Sequence, residues 1–449
     1  MEQTEVLVAG AGAAGMVAAL AAAHRGARVV LLERDAAEPS TFATSGGLFA
    51  APGTRWQRAA GVEDSPALFA DDLRAKTGGT VDEGVLAIVA THAARLADFL
   101  ADGVGIPLHL YQRSAWPGHS AARLHATPGE SGAEFNALLR AAVAAHPAIS
   151  LRDGAALAGL EPNVAEVSEA GARRRIAARG IVLATGGHGG DAALLARVCP
   201  PASHAVHVGG KLSDGTAVRL AEPLGAALAC MDAYQGQPHV SPHLVDGVRP
   251  RLGAALPALG AVMVNRQGRR FATEDMGPSE LAGFLLSQPG GRAVEIWDAA
   301  AQDAAMAGGP FRRAVELGAV RRFDDVAALA AAFALPAATL AATLAEAAAC
   351  ARGEAADPFG RRAWRAPLSP PFHAAEVTGA LAHTQGGLAV DDRARVRRAG
   401  GGVLPWLFAA GGAACGISGR GASGYLPGNG LSQSFVLGMV AGEAAAALR

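Results

Sequence analysis

Residues 5–34 read EVLVAGAGAAGMVAALAAAHRGARVVLLER. Glu5 to Gly10 is a short apolar run that reads as a buried strand. Ala11 to Arg25 is alanine-rich and reads as a helix, and Arg28 to Glu33 reads as a second buried strand. The turn between strand and helix carries Gly10-x-Gly12-x-x-Gly15. Gly10 permits the tight bend, Gly12 lets the backbone approach a pyrophosphate, and Gly15 lets helix and strand pack closely. The helix start, at Ala13 and Ala14, then turns free N–H groups and a positive dipole end toward the phosphates. Glu33 lies 18 residues past Gly15 and is followed by Arg34. At the end of that second strand a carboxylate can accept both ribose hydroxyls of an adenosine, and it disfavours a 2′-phosphate. The pattern predicts a dinucleotide site.

The rest of the composition agrees with a packed protein. The chain has 449 residues, and at ~150 residues per domain this suggests about three units, or one large domain with an insertion. It holds 58 glycines and 25 prolines, yet 51% of it is hydrophobic, enough to bury a core. Basic and acidic residues number 39 and 40, which removes any compositional case for nucleic acid or an anionic membrane surface. Cys199, Cys230, Cys350 and Cys415 are scattered, with no C-x-x-C pair, so neither a disulfide framework nor a zinc site is expected. A reducing cytoplasm is the simplest expectation. No histidine spacing suggests a metal. The N-terminus enters a strand pattern at once, without a basic leader signature. Val326 to Ala345 is uncharged over 20 residues, but Pro336 breaks it, and two packed helices are expected there rather than a membrane span.

Three further glycine clusters extend the ligand. Thr44-Ser45-Gly46-Gly47 follows the acidic strand. Ala184-Thr185-Gly186-Gly187 ends the apolar run that begins at Gly180. Gly411-Gly412 ends the run Leu407 to Ala410, and Asn429-Gly430-Leu431-Ser432 opens a C-terminal apolar helix. A site built from the first strand and the last seventy residues embraces a long ligand, and FAD fits that better than a dinucleotide held by one unit. A helix starting near Gly430 can aim its dipole at the flavin pyrimidine edge, where negative charge develops on reduction.

These stretches, with SDGTAVRLAEPLGAAL, VNRQGRRFATED, HTQGGLAVDDRARV and GYLPGNGLSQSFVLGMVAG, resemble the fumarate reductase / succinate dehydrogenase / 3-ketosteroid dehydrogenase superfamily of flavoproteins over nearly the whole chain. The resemblance implies an α/β fold: a Rossmann-like FAD-binding domain of glutathione-reductase type, interrupted by an inserted α+β capping domain. The boundaries expected are 1–231 and 383–449 for the FAD domain and 232–382 for the cap. It also carries Ala156, Asp191, Asp214 and Gly215 into the expected cofactor set. Members that attach FAD covalently use a histidine six residues before the early Gly-Gly; that position is Ser40 here, so non-covalent FAD is expected. Many members have a glutamate at the position of Gly412.

Soluble fumarate reductases of this superfamily hold a dicarboxylate with two histidines and two arginines. Of those positions only His383, before Thr-Gln-Gly-Gly, keeps its residue. The other histidine corresponds to Gln237, the proton-donating arginine to Pro278, and the last arginine to Tyr425. A small dicarboxylate is therefore not the expected substrate. Tyr425 matches the position where ketosteroid dehydrogenases carry a tyrosine bonded to the substrate ketone. A neutral phenol is a fair donor to a developing enolate. Pro278 cannot titrate, so the proton-transfer group lies elsewhere, with Ser279, Glu280, Tyr234, His239 and His383 as candidates. Tyr234 to His243 is polar and proline-rich and is expected to be a loop that walls the substrate. Ala115 to Ser131 resembles the superfamily's substrate-side loop.

The function expected is FAD-dependent dehydrogenation or reduction at a CH–CH or C=C pair adjacent to a carbonyl, in a ketone or steroid-like enone, with an electron donor or acceptor the sequence does not name. A second reading is an unsaturated carboxylate held by other arginines, such as Arg123 or Arg249. A third, of another class, is a flavin-binding protein without turnover.

Overall fold

The computed structural model describes residues 1–112 and 118–449. Compact packing divides the chain into two units. The first comprises Met1–Pro200, His207–Gln235 and Ala382–Arg449; the second comprises Pro201–Val206 and Gly236–Leu381.

The first unit is built on the sheet that the opening stretch begins. Its order is Arg395–Arg397, Val403–Ala409, Ala172–Leu183, Glu2–Ala9, Val29–Glu33, Ile149–Asp153. The last five run parallel: Ala9 sits opposite both Leu32 and Leu183, and Leu407 opposite Ile181. A parallel sheet is covered on both faces, which explains why Val6, Leu7, Val8, Leu31, Ile181 and Leu407 are all buried. The alanine run becomes the helix Ala13–His24, buried on nearly every side. It packs on the C-terminal helix Asn429–Ala446 with backbones almost touching. A Cβ at Gly438 would lie 2.4 Å from the Ala14 carbonyl oxygen, and one at Gly442 would lie 2.2 Å from that of Ala18. Small residues on both helices are what allow this approach.

Arg173-Arg-Arg175 lies inside the long strand Ala172–Leu183 and pairs across an antiparallel ribbon with Glu166, Glu169 and Glu161. One described helix, Glu83–Gly103, is long and apolar enough to cross a membrane by length and composition. Its Val85, Leu86, Val89, Ala93 and Leu96 belong to the core of the first unit.

The second unit centres on a six-stranded sheet in which Phe372–Thr384 pairs Arg292–Asp298, and Arg292–Asp298 pairs Val262–Val264. The apolar run 326–345 becomes two helices, Val326–Ala332 and Ala337–Ala351, separated by Ala334 at φ 52°. Leu329 and Leu340 pack in one cluster. Tyr234–Val240 is a strand, not the expected loop. Among the described strands it pairs with Phe372–Thr384, with an isolated bridge from Val240 to Arg251, and a strand with one strand neighbour tolerates Pro238, which has no N–H to donate. Pro278 opens the helix Pro278–Leu286, where a missing N–H costs nothing.

The VNRQGRRFATED stretch holds this unit together. Arg270 makes a bidentate pair with Glu274 at 2.8 and 2.6 Å and also binds Asp357. Arg361 reaches Glu274 at 3.2 Å and the carbonyls of Ala261 and Pro257 at 2.9 and 2.7 Å. All four side chains are buried. Removing one member strands charge in a dry site. Glu274→Ala is expected to cost the second unit about 3–5 kcal/mol, read as lost hydrogen-exchange protection of Val262–Val264 and Arg292–Asp298. Unchanged protection would refute it.

Candidate active site

The first turn behaves as its glycines require. Gly10 has φ 101°, and a Cβ there would meet the Ala184 oxygen at 2.4 Å; a Cβ at Gly15 would lie 1.7 Å from the Gly10 oxygen. Gly12 differs: nothing lies within 4 Å of its Cβ direction. It caps the helix Ala13–His24 without any side-chain bond, so the first-turn N–H groups are open to an anion. Glu33 accepts from the Ala11 N–H and the Asp35 N–H, both at 3.0 Å, which fixes its carboxylate at the end of the second strand. Each carboxylate oxygen still has a lone pair for a hydroxyl.

The other glycine clusters converge. A Cβ at Gly187 would meet Thr384 Oγ1 at 2.2 Å, one at Gly412 would meet the Gly187 N at 2.6 Å, and one at Gly411 would meet Ala14 Cβ at 2.9 Å. A Cβ at Gly186 would press on Ser213. Gly46 opens to space, and a Cβ at Gly47 would strike the backbone of Ser131. The C-terminal helix begins at Asn429, again with no side-chain cap. Asn429 is fully buried, yet neither atom of its amide has a partner among the described residues. Thr185 Oγ1, Gln385 Oε1, Ser418 Oγ and Gln433 Oε1 are buried in the same condition. A native core rarely tolerates five such side chains, so they point to a polar ligand that supplies the missing bonds. An isoalloxazine and its ribityl chain carry donors and acceptors of that kind, and the residues fit FAD.

Several expected cofactor residues have structural partners. Arg34 pairs with Asp214 at 2.7 Å and with the Leu212 carbonyl. Asp214 also accepts from Thr216 Oγ1 at 2.5 Å. Asp191 caps the helix Ala192–Val198, and Gly215 caps Thr216–Ala221. Ser45 Oγ donates to Phe42 O, and Thr44 Oγ1 to Thr41 O. Ser432 Oγ donates to Ala50 O at 2.8 Å and accepts from its N–H at 2.6 Å, tying helix to strand. Ala156 lies half-buried in the ribbon strand Ala155–Glu161, and Leu431 packs against the core.

Of the expected catalytic residues, the structure brings His383 and Tyr425 together. Their rings meet edge-to-face, centroids 5.9 Å apart, at the start of the C-terminal helix. A Cβ on Gly430 would lie 3.0 Å from His383 Cε1 and 3.3 Å from Nε2. Gln385 Nε2 contacts His383 Nδ1 at 3.2 Å. Nδ1 also lies 3.4 Å from Thr384 O, so its neighbours are an amide that donates and a carbonyl that accepts, and either neutral tautomer finds a partner. Burial pushes the imidazole down to about 4, so it is neutral at pH 7. Burial pushes the Tyr425 phenol up to about 12, while the Gly428 amide hydrogen-bonds to it. The pair is a neutral phenol and a neutral imidazole side by side.

Tyr234 is buried in the first unit, its N–H bonded to Gly421 O at 3.0 Å and its phenol also pushed up to about 12 by burial. Gln237 is half-buried in the second unit, on the same strand face as His239. His239 is buried, with Nδ1 2.9 Å from Glu295 Oε2. Ser279 accepts from the Gly236 N–H at 2.8 Å, and Glu280 accepts from the Gly277 N–H at 2.9 Å, closing the start of their helix. Arg123 is fully buried and held by Asp64 at 2.9 and 3.0 Å and by Asp72, so its charge is already neutralised. Arg249 is spent on the carbonyls of Ser241 and Pro242. Within Ala115 to Ser131, residues 115–117 lie outside the described residues. His119, later in that segment, braces the Tyr425 loop by bonding Pro427 O at 2.9 Å.

Sequence reading missed Gln385 and Gln433. Gln385 is two residues from His383, and Gln433 four from Asn429, so strand and helix periods could have found them.

Residues 5–431 match the family model described as FAD binding domain. A protein of Shewanella frigidimarina described as a probable fumarate reductase is 30% identical, over 99% of this chain and 75% of its own. The open conformation of a flavocytochrome c3 fumarate reductase is 28% identical, with a TM-score of 0.85 over 99% of this chain and 78% of that one. A 3-ketosteroid delta1-dehydrogenase from Sterolibacterium denitrificans, 20% identical over the whole of both chains, shares the fold with a TM-score of 0.83.

Proposed function

The chain belongs to the FAD binding domain family as an FAD-dependent oxidoreductase of fumarate reductase type, and from that premise we propose that its substrate is a carbon–carbon pair conjugated to a neutral carbonyl, as in a cyclic ketone or enone. The observation that carries this is the Tyr425–His383 pair. When bound, FAD supplies the hydride acceptor and donor at its N5. Tyr425 O–H donates to the substrate oxygen, with the neutral His383 ring beside it, and that bond strengthens as negative charge moves onto the oxygen. Both groups are neutral, so they suit a ketone better than two carboxylates, which need paired cations. Arg123, the cation a carboxylate substrate would ask for, is already held by Asp64 and Asp72.

Purified holoprotein with reduced flavin would be mixed anaerobically with cyclohexenone, a 3-keto-4-ene steroid, acrylate and fumarate. Flavin reoxidation by the enones is expected, and preference for fumarate would overturn the reading. Tyr425→Phe is expected to lower turnover by about 10²–10³-fold, the usual loss for one oxyanion donor. With the imidazole at about 4 and the phenol at about 12, neither group changes charge between pH 5 and 10, so the pair itself imposes no pH limb there.

A further inference from the structure

Tyr425 is carried on a short loop between Gly424 and Gly428, and three contacts within the first unit clamp that loop. A Cβ at Gly424 would lie 2.0 Å from the Ser418 oxygen. One at Gly428 would lie 2.6 Å from Leu124 Cδ2 and 3.1 Å from the Ala50 N. The third contact comes from residues 118–120. A Cβ at Gly118 would lie 2.3 Å from Leu426 Cδ2, so the backbone there presses directly on the residue after Tyr425. His119 Nε2 lies 2.9 Å from the Pro427 oxygen. A carbonyl only accepts, so this ring nitrogen carries a proton and donates. Pro427 stands just before Gly428, the cap of the C-terminal helix, so its carbonyl lies outside the helix ladder and takes a side-chain donor instead. We propose that His119 is a positioning residue that holds Tyr425 in place through Pro427. This rests on the reading of Tyr425 as the donor to the substrate oxygen.

The brace is itself anchored. Ser120, next to His119, donates to Asp72 Oδ2 from both its N–H and its Oγ, each at 2.9 Å. Asp72 also accepts from Arg123, which Asp64 holds at 2.9 and 3.0 Å. Arg123 and Asp64 are fully buried, so the anchor is rigid. The cation that is closed to a carboxylate substrate thereby acquires a part: it fixes the segment that carries His119. Asp72 lies on the helix Pro66–Thr77. The last residue of that helix reaches the other end of the loop, with Thr77 Cγ2 3.0 Å from where a Gly424 Cβ would stand. One helix therefore supports Tyr425 from both sides, directly at Gly424 and through Ser120 and His119 at Pro427. A hydrogen-bond donor works only where the developing charge appears, and a misplacement of about 1 Å can cost up to ~10²-fold in rate.

Reduced holoprotein would be mixed anaerobically with cyclohexenone by stopped flow, as wild type, His119→Leu, His119→Gln and Gly118→Ala, each with and without Tyr425→Phe. His119→Leu removes the donor and is expected to slow the limiting rate of flavin reoxidation about 10-fold, with the half-saturating concentration moved less than ~3-fold. His119→Gln keeps an amide donor and should recover most of that loss. Gly118→Ala places a methyl against Leu426 at φ 91° and should slow the reaction as His119→Leu does, so the test survives if His119→Leu fails to fold. On the Tyr425→Phe background none of the three should slow it further, because no phenol is left to place. Hydrogen exchange over residues 424–430 should be about 10-fold faster in His119→Leu than in His119→Gln, with the helix Ala13–His24 unchanged. A wild-type rate in His119→Leu, equal slowing with and without the Tyr425 phenol, or unaltered exchange over 424–430 would each overturn the proposal. A wild-type rate in Tyr425→Phe alone would instead remove the reading of Tyr425, and the exchange comparison would still decide whether His119 holds the loop.

Discussion

Acidification is expected to unfold the flavin unit well before its carboxylates are protonated. His125 and His188 are both fully buried, and burial pushes each imidazole from the ordinary 6.5 down to about 4. His125 is held as the neutral ring: Nδ1 bonds the Arg123 carbonyl at 3.0 Å, and Nε2 lies 2.9 Å from Thr54 Oγ1. His383 shifts by a similar amount. The sign follows from proton counts. Above pH 6.5 neither the folded nor the unfolded chain protonates these rings, and their stability is intact. Between 6.5 and 4 only the unfolded chain takes up the proton, so stability falls as pH falls. Each of the two fully buried rings costs roughly 3 kcal/mol across that window, and together they give a slope of about 3 kcal/mol per pH unit near pH 5. Typical domain stabilities are about 5–15 kcal/mol, so this loss is decisive. Urea unfolding, followed by release of bound flavin fluorescence at pH 7, 6 and 5, measures it. His125→Asn should lower the slope by close to one proton. A midpoint that does not move between pH 7 and 5 would show that these rings are not buried neutral.

How much of this was legible in the sequence depended on range. Contacts set by local spacing could be read: the strand–turn–helix at residues 5–34 and the break at Pro336 are written in neighbouring residues. Contacts set by the fold could not. Arg123 looked available to a substrate because Asp64 and Asp72 lie more than fifty positions away. Tyr234–Val240 was misread because glycine and proline are turn residues in isolation, and only the sheet reveals an edge position where Pro238 is harmless. In the site, type and motif located His383 and Tyr425. They did not give the charge state, because burial, not the motif, keeps the ring neutral.

The glycines of the first turn separate a structural role from a ligand role, and substitution should separate them too. Gly15→Ala is expected to abolish FAD binding together with the fold around it. Its Cβ would sit 1.7 Å from the Gly10 oxygen and 3.3 Å from Ala184 Cβ, all of it backbone or packed core. The helix Ala13–His24 cannot move away, because Gly438 and Gly442 hold it from the other side with almost no gap. The clash therefore displaces the turn itself, at a cost of about 3 kcal/mol or more. Gly12→Ala is the contrasting case. Gly12 has φ −79° and open space along its Cβ direction, so the apo protein has no internal reason to keep glycine there. An alanine there should leave apo stability within about 1 kcal/mol, or raise it slightly through the unfolded chain. Its methyl would instead occupy the ground where the pyrophosphate approaches, and FAD affinity should fall at least ~10-fold, about 1.4 kcal/mol. Thermal unfolding of the apo variants and FAD titration by flavin fluorescence give the two readouts independently. Wild-type FAD affinity in Gly12→Ala would place the pyrophosphate elsewhere. A stable apo Gly15→Ala would mean that the turn yields more readily than its packing implies.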